Sequence, residues 1–595
     1  MEVVMRTMIR SLAQLIVVGI LMGVGPASSA SYPPKLLTFL DPTLRLASIC
    51  GGNRESGSMR ARLMTAAAVV QAMPMAVPPL FDQLGQVHFR ITTKSPQAQR
   101  YFNQGLSFAY GFNHAAAGAS FREAQRLDPA CALCFWGEAL VHGPNINAPM
   151  EEGVNARAVE LARRADSLAF GSTGLEQALT AAMLRRYSAD SKVERAALDA
   201  AYADAMLAVA RAFPAHDDIA LLAAEAVMDT RPWDYWQTDR RTPNPRIGEA
   251  VGLVETVLAR SPDHPQAPHL YIHLMENGPD PKRAESAADR LAAPLAPKSG
   301  HLVHMPAHIY HRIGRWKDSI RVNVAAARAD EEWIRTSGDR GLVRYGYYPH
   351  NVHFIVTSAQ MAGDLETATR EAKRLEQLLD PETSARIAWI QAISAAPYFA
   401  AAQFARPEEV LAMREPDARL PYATAMRHYA RAIAFARQHD RTGFDGALAA
   451  LRALGESGAM KGMVDQGVPA PDLLRIAERV AHARWAQASG RPAEAAAHYR
   501  EAIAIEEGIP YMEPPFWYYP VQQSLGAALY QMGRFEEART AFNTALVQSP
   551  GNGWALYGLA ASERALGRKA EAAAADAAFQ RAWSGDRRWL KMDRL

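Results

Sequence analysis

The chain has 595 residues, is 49% hydrophobic and 21% charged, and carries a formal net charge of +3, which leaves room for several domains or one long array of repeats. Its charges are mixed along the sequence without a basic tail or stripe, which argues against a nucleic-acid-binding surface. Three cysteines, Cys50, Cys131 and Cys134, exclude a disulfide framework, and the abundance of alanine and other helix formers predicts an all-α fold.

The N-terminus reads as an export signal. Arg6 and Arg10 precede an apolar run from Leu12 to Gly25, and the small residues Ser28 and Ala30 predict cleavage after Ala30. The run is too short for a stable membrane span. A second basic-then-apolar segment begins at Met59, so the start lies at Met1 or at Met59. Either way the chain is expected to be exported, periplasmic or secreted, with 1–30 as signal peptide and 31–83 as a disordered linker. No span is expected in the mature chain.

Helical hairpins are expected from 84 onward. In YFNQGLSFAYGFNHAAAGASFREAQRLDP, Gly105 is followed by Ala117, Phe121, Ala124 and Pro129. CALCFWGEALVHGPNINAPM comes next. Its CxxC lacks the βαβ setting of a thioredoxin site, and Phe135 stands where a haem-attachment site needs His. A disulfide between Cys131 and Cys134 is therefore expected. Glu138, His142 and GPNIN add polar residues that a plain linker would not need. RPWDYWQTDRRTPNP, with Trp233, Tyr235 and Trp236, reads as a rim lid or a packed interhelical loop, and so does EPPFWYYP at 513–520.

Nine of the 17 histidines fall between His264 and His353. His269 and His273 are four apart. His301, His304, His308 and His311 follow in one segment, and His350 and His353 in another. Residues three and four apart share a helix face, and imidazole is the commonest protein metal ligand. RYGYYPHN adds Tyr345, Tyr347 and Tyr348 beside this set.

The C-terminal part repeats the earlier pattern. Gly526 is followed by Ala538, Phe542, Ala545 and Pro550 at the same intervals as the residues after Gly105. Trp554, Gly558 and Ala570 begin another copy. Degenerate copies keep Gly314, Trp316 and Ala326; Gly363 and Ala368; and Gly490, Ala495, Tyr499 and Ala502. These segments resemble tetratricopeptide repeats. The resemblance implies a superhelix of antiparallel helix pairs, an α-solenoid, which specifies fold well and function poorly. It divides the chain into N-terminal hairpins with the CxxC segment (84–260), a histidine-rich set (261–380) and C-terminal repeats (381–595).

In such repeats the first helix of each unit faces the concave groove. Counted back from Gly314, His301, His304, His308 and His311 take its four groove positions. Counted back from Gly363, His350 and His353 take the first two, and His269 and His273 align with His304 and His308. All eight are candidate metal ligands, with Cu or Zn as the candidate ion. HMPAH and HLYIH lack the glutamate of HExxH, so the zincin resemblance fails at the general base; Glu276 and Glu138 are the carboxylates that remain to substitute. The GPNIN and HMPxHIY segments also resemble a group of exported bacterial tetratricopeptide proteins, a likeness that implies no activity. The expected function is an exported binding protein with a metal-binding histidine groove. A protein or peptide ligand is expected in the concave groove; a metal-dependent oxidase or hydrolase, and a metal-free protein–protein interaction scaffold, are the alternatives. No phosphate-binding glycine loop, GxSxG or EF-hand is present.

Overall fold

The computed structural model describes residues 78–595 except 152, 238, 240 and 294. The export segment, the alternative start at Met59, Cys50 and the linker up to residue 77 lie outside the described residues. Residues 78–83, the end of the expected linker, are described. Phe81 packs on Phe108 and Trp333, and its backbone N–H donates to Gln104 Oε1 at 2.7 Å.

Helices succeed one another from Pro96–Tyr110 to Lys569–Ala582. Among the described residues there is no strand, only the isolated bridges Asn145–Ala148 and Trp236–Pro243. No described helix is long and apolar enough to cross a membrane.

Local chemistry sets the hairpins. Ser95 caps the Pro96–Tyr110 helix by accepting from Ala98 N, with Pro96 in the first turn. Asn113 caps the His114–Leu127 helix in the same way, through Ala116 N. The Phe121 ring then lies between two glycines. A Cβ on Gly105 would come within 2.7 Å of it, and one on Gly137 within 2.4 Å. Near the other end, Phe542 sits between Gly526 and Gly558, where added Cβ atoms would meet its ring at 2.8 and 2.2 Å. Missing side chains thus let three successive helices close on one aromatic ring.

Distant parts of the sequence also meet. Gly314 ends the Pro306–Ile313 helix at φ +80°, and a Cβ there would lie 2.1 Å from the Pro550 carbonyl oxygen. Trp554 Nε1 donates to the Gln360 carbonyl at 2.8 Å, and Trp583 packs against Gly363. These contacts hold the C-terminal hairpins against the turns that follow the histidine-bearing helices. They change the setting of the histidines. Positions expected to line an open groove are instead covered: His269 is 0% exposed, His273 and His304 1%, and His308 4%.

Candidate metal centre

The Gln266–Glu276 helix is buried along its whole length. A helix buried all round has no solvent face on which to place polar residues, yet it carries His269, His273 and Glu276. Next to it, Gly300–His304 and Pro306–Ile313 form a nearly continuous helix. Its backbone ladder breaks where Pro306 has no N–H to donate. Across that break His304 and His308 keep their four-residue spacing. Tyr348–Ala362 follows a π-helical turn at Val343–Tyr347 and brings in His350.

The side chains form two trios. His269, His273 and His301 each offer one nitrogen within 4.8 Å of the others, and so do His304, His308 and His350. Ring centroids within the first trio are 4.8–6.0 Å apart. Those within the second are 4.7–5.9 Å apart. The trios adjoin: His301 lies 6.3 Å from His304, and His273 lies 6.3 Å from His308.

Outer partners orient most of these rings. His269 Nδ1 is 2.8 Å from Gln266 Oε1, His273 Nδ1 2.8 Å from Glu276 Oε1, and His304 Nδ1 2.6 Å from Asn323 Oδ1. His308 Nδ1 is 2.7 Å from Glu276 Oε2 and 3.0 Å from Glu513 Oε2. Gln266 Oε1, Glu276 Oε1, Asn323 Oδ1 and Glu513 Oε2 can only accept, so each Nδ1 carries the proton, and Glu276 Oε2 faces His308 as a charge partner. The Nε2 atoms face inward: His269 and His301 bring theirs to 3.2 Å, His304 and His308 to 2.8 Å. Two nitrogens on one tetrahedral ion stand roughly 3.3 Å apart at metal–nitrogen bonds of about 2.0–2.1 Å. His301 Nδ1 is buried without a hydrogen-bond partner among the described residues, at a cost on the order of 1–3 kcal/mol.

The electrostatics follow. Burial and the neighbouring imidazoles hold His269, His301 and His304 well below the usual histidine pKa. Burial acts against charge on His308 as well, but Glu276 and Glu513 outweigh it and raise this imidazole to about 9. Both carboxyls are held below their ordinary value. Burial opposes that, and the imidazoles of His308 with His273 or His311 prevail. Tyr511 Oη adds a hydrogen bond of 2.8 Å to Glu513 Oε2.

An aromatic cover lies over the first trio. The Phe112 ring is 4.7 Å from His269 and 5.2 Å from His301, and Trp233 meets His273 edge-on at 5.0 Å. Phe112 and Trp233 both have left-handed backbones, at φ 53° and 66°, which is costly for bulky residues. Trp233 Nε1 is anchored on the Ile146 carbonyl at 2.7 Å, so the GPNIN and RPWDYW segments meet beside the centre. Tyr347 stacks on His301 at 4.8 Å. A cleft beside the second trio is lined by His350, His353, Trp389, Glu513 and Phe516.

The eight candidate histidines therefore divide. Six form the trios. His311 stands outside them with its Nδ1 3.4 Å from Glu513 Oε1. His353 also stands outside, and burial lowers it to about 3. Of the tyrosines, Tyr347 reaches the centre, whereas Tyr348 hydrogen-bonds Glu331 and Tyr345 lies beneath Arg344. Glu276 is at the centre. Glu138 is not: it pairs with Arg122, Arg157 and His142, and burial is outweighed there so that its carboxyl falls to about 2. Cys131 and Cys134 are disulfide-bonded, with Cys131 as the N-cap of the Ala132–His142 helix. Glu513 was missed as a site residue. It lies 205 residues from His308, in a segment whose only sequence signal is its run of aromatics.

The tetratricopeptide repeat family model matches residues 521–552, the hairpin that holds Phe542 against Gly526. That hairpin is a tetratricopeptide repeat, set in an all-helical array. No curated protein matches its sequence. Among solved structures, the human IFIT1 dimer with m7Gppp-AAAA is 12% identical, covers 90% of this chain and 96% of that one, and gives a TM-score of 0.28. The TPR domain of P58(IPK) is 14% identical over 79% of this chain and 99% of that one, at 0.21. Yeast Tom70 is 10% identical over 81% and 91%, at 0.26. Likenesses this distant carry no argument about ligand or activity.

Proposed function

We propose that the protein is an exported tetratricopeptide-repeat binding protein whose buried histidine centre holds a transition metal. One observation carries this reading. Four imidazoles have their Nδ1 atoms fixed by Gln266, Glu276, Asn323 and Glu513, while the Nε2 atoms of two histidine pairs meet at 3.2 and 2.8 Å. Outer acceptors that fix tautomer and ring direction are the general support of metal-binding histidines. Imidazole ligands suit Cu or Zn.

Export is supported by the basic and apolar N-terminal sequence, and the Cys131–Cys134 disulfide suits an oxidising compartment. The repeat surface supplies the face for a protein or peptide partner. The cleft beside His350 and Glu513 favours, as a second reading, an oxidase or hydrolase that uses the metal.

Elemental analysis of protein purified from its native compartment tests the main reading. Stoichiometric Cu or Zn is expected. A metal-free protein that also fails to bind either ion on titration would leave the plain scaffold. N-terminal sequencing should find a start near Ser31, or near Ala76 if Met59 initiates, and a full-length cytoplasmic product would overturn export.

A further inference from the structure

The six clustered histidines are not one crowded site. Each trio takes an i,i+4 pair from one helical segment, His269 with His273 or His304 with His308, and a third ring from the next, His301 or His350. Each set supplies the three protein ligands, with a fourth position left for water or substrate, that a catalytic-type metal site uses. One ion cannot serve both. Opposite nitrogens on one six-coordinate ion stand about 4.2 Å apart at bonds of about 2.1 Å, yet the six imidazoles do not gather as one set within 4.8 Å of one another; they gather as two sets of three.

The partners of the rings are also duplicated. Gln266 holds the first trio and Asn323 the second. Glu276 spans both, with Oε1 on His273 and Oε2 on His308. A carboxylate placed between two ligand sets, touching one member of each on its outer nitrogen, offsets positive charge on both sides without occupying a position on either ion. Outer nitrogens are thereby tied up, and the inner ones of His269 and His301, and of His304 and His308, pair off separately.

We infer that the centre is dinuclear, with one transition-metal ion on His269, His273 and His301 and a second on His304, His308 and His350. The inference rests on the metal-binding reading above and adds its stoichiometry and layout. Two ions so placed, each with an open position, would suit a small ligand bound between them, and the cleft lined by His350 lies next to the second trio.

The test is titration of the metal-free full-length protein with Cu(II), followed by metal analysis after dialysis and by electron paramagnetic resonance. Two copper ions per chain are expected. Neighbouring Cu(II) ions should couple, so the integrated signal should fall below that of two isolated spins. His269→Gln and His350→Gln, which keep polar side chains of similar size, should each retain one ion and give the full signal of one spin. One ion in the wild type, or two ions with the full signal of two isolated spins, would overturn the dinuclear layout while leaving a metal site. No bound copper, together with no bound Zn(II), would remove the metal reading itself. The wild-type count and signal stand even if a variant fails to fold.

Discussion

His308 Nδ1 lies 2.7 Å from Glu276 Oε2, and the other oxygen of the same carboxylate lies 2.8 Å from His273 Nδ1. Glu276 therefore fixes the orientation of one histidine in each trio. Glu276→Gln keeps the shape but removes the charge, and its amide can accept from only one of the two rings. Loss of such an outer partner lowers metal affinity by about 10–100-fold. Isothermal titration with Zn(II) should show this drop, with the helical circular dichroism spectrum unchanged. Unaltered affinity would show that the carboxylate serves packing alone.

Metal uptake should compete with protons at His308. Burial disfavours its charge, but Glu276 and Glu513 prevail and raise its pKa to about 9 in the metal-free protein. Below that pH the ring is an imidazolium whose Nε2–H can donate to His304 Nε2 at 2.8 Å. A metal must replace that proton. Because the folded pKa is raised, protonation persists well above the ordinary histidine range, and apparent affinity at the trio of His304, His308 and His350 should climb roughly tenfold per pH unit, one proton for the ion bound there, across neutral pH. Titration of Cu(II) in buffers of different ionisation enthalpy should reveal the released proton. Affinity that levels off near the ordinary histidine pKa, about 6.5, would contradict the role given to the two carboxylates.

The spacing of small and aromatic residues made the hairpins legible, because Gly105 with Phe121 and Gly526 with Phe542 are local facts of one helix pair. The histidine helices were legible for the same reason, since His269 with His273 and His304 with His308 are contacts within a turn. What local spacing does not carry is the closure of distant segments. Glu513 reaches His308 across 205 residues, and Phe112 and Trp233 cover His269 and His273 from loops outside the histidine segments. The groove register placed His311 and His353 with the others, but the turn beyond His308 directs His311 to Glu513. An open groove was expected because repeat register describes one unit and not what packs on it.

That burial predicts a stability cost where a groove would have tolerated change. His304→Ala with His308→Ala removes two buried rings, leaves Asn323 Oδ1 without its imidazole partner, and reduces Glu276 to His273 and Glu513 to His311 and Tyr511. Truncation of one large buried side chain costs about 2–5 kcal/mol, and the loss of one imidazole beside each of two buried carboxylates adds to it. Urea unfolding of the metal-free proteins should show a midpoint well below that of wild type. An unchanged midpoint would mean that the two rings are solvated, as an open groove requires.

Two glycine-to-alanine changes should act in opposite directions. Gly558 faces Phe542 so closely that a Cβ would approach the ring to 2.2 Å, and Phe542 is already confined on the other side by Gly526. Gly558→Ala forces the Gly553–Ala565 helix away from its neighbour, and overpacking of this kind costs roughly 1–3 kcal/mol. Gly252 lies exposed in the Ile247–Arg260 helix, with nothing within 4 Å of its added Cβ. There the methyl group meets no obstacle and the unfolded chain loses freedom, so Gly252→Ala should stabilise by about 0.5–1 kcal/mol. Thermal unfolding of both variants beside wild type separates the effects. A Gly558→Ala protein as stable as wild type would show that the helices around Phe542 are not held at the spacing that the repeat pattern requires.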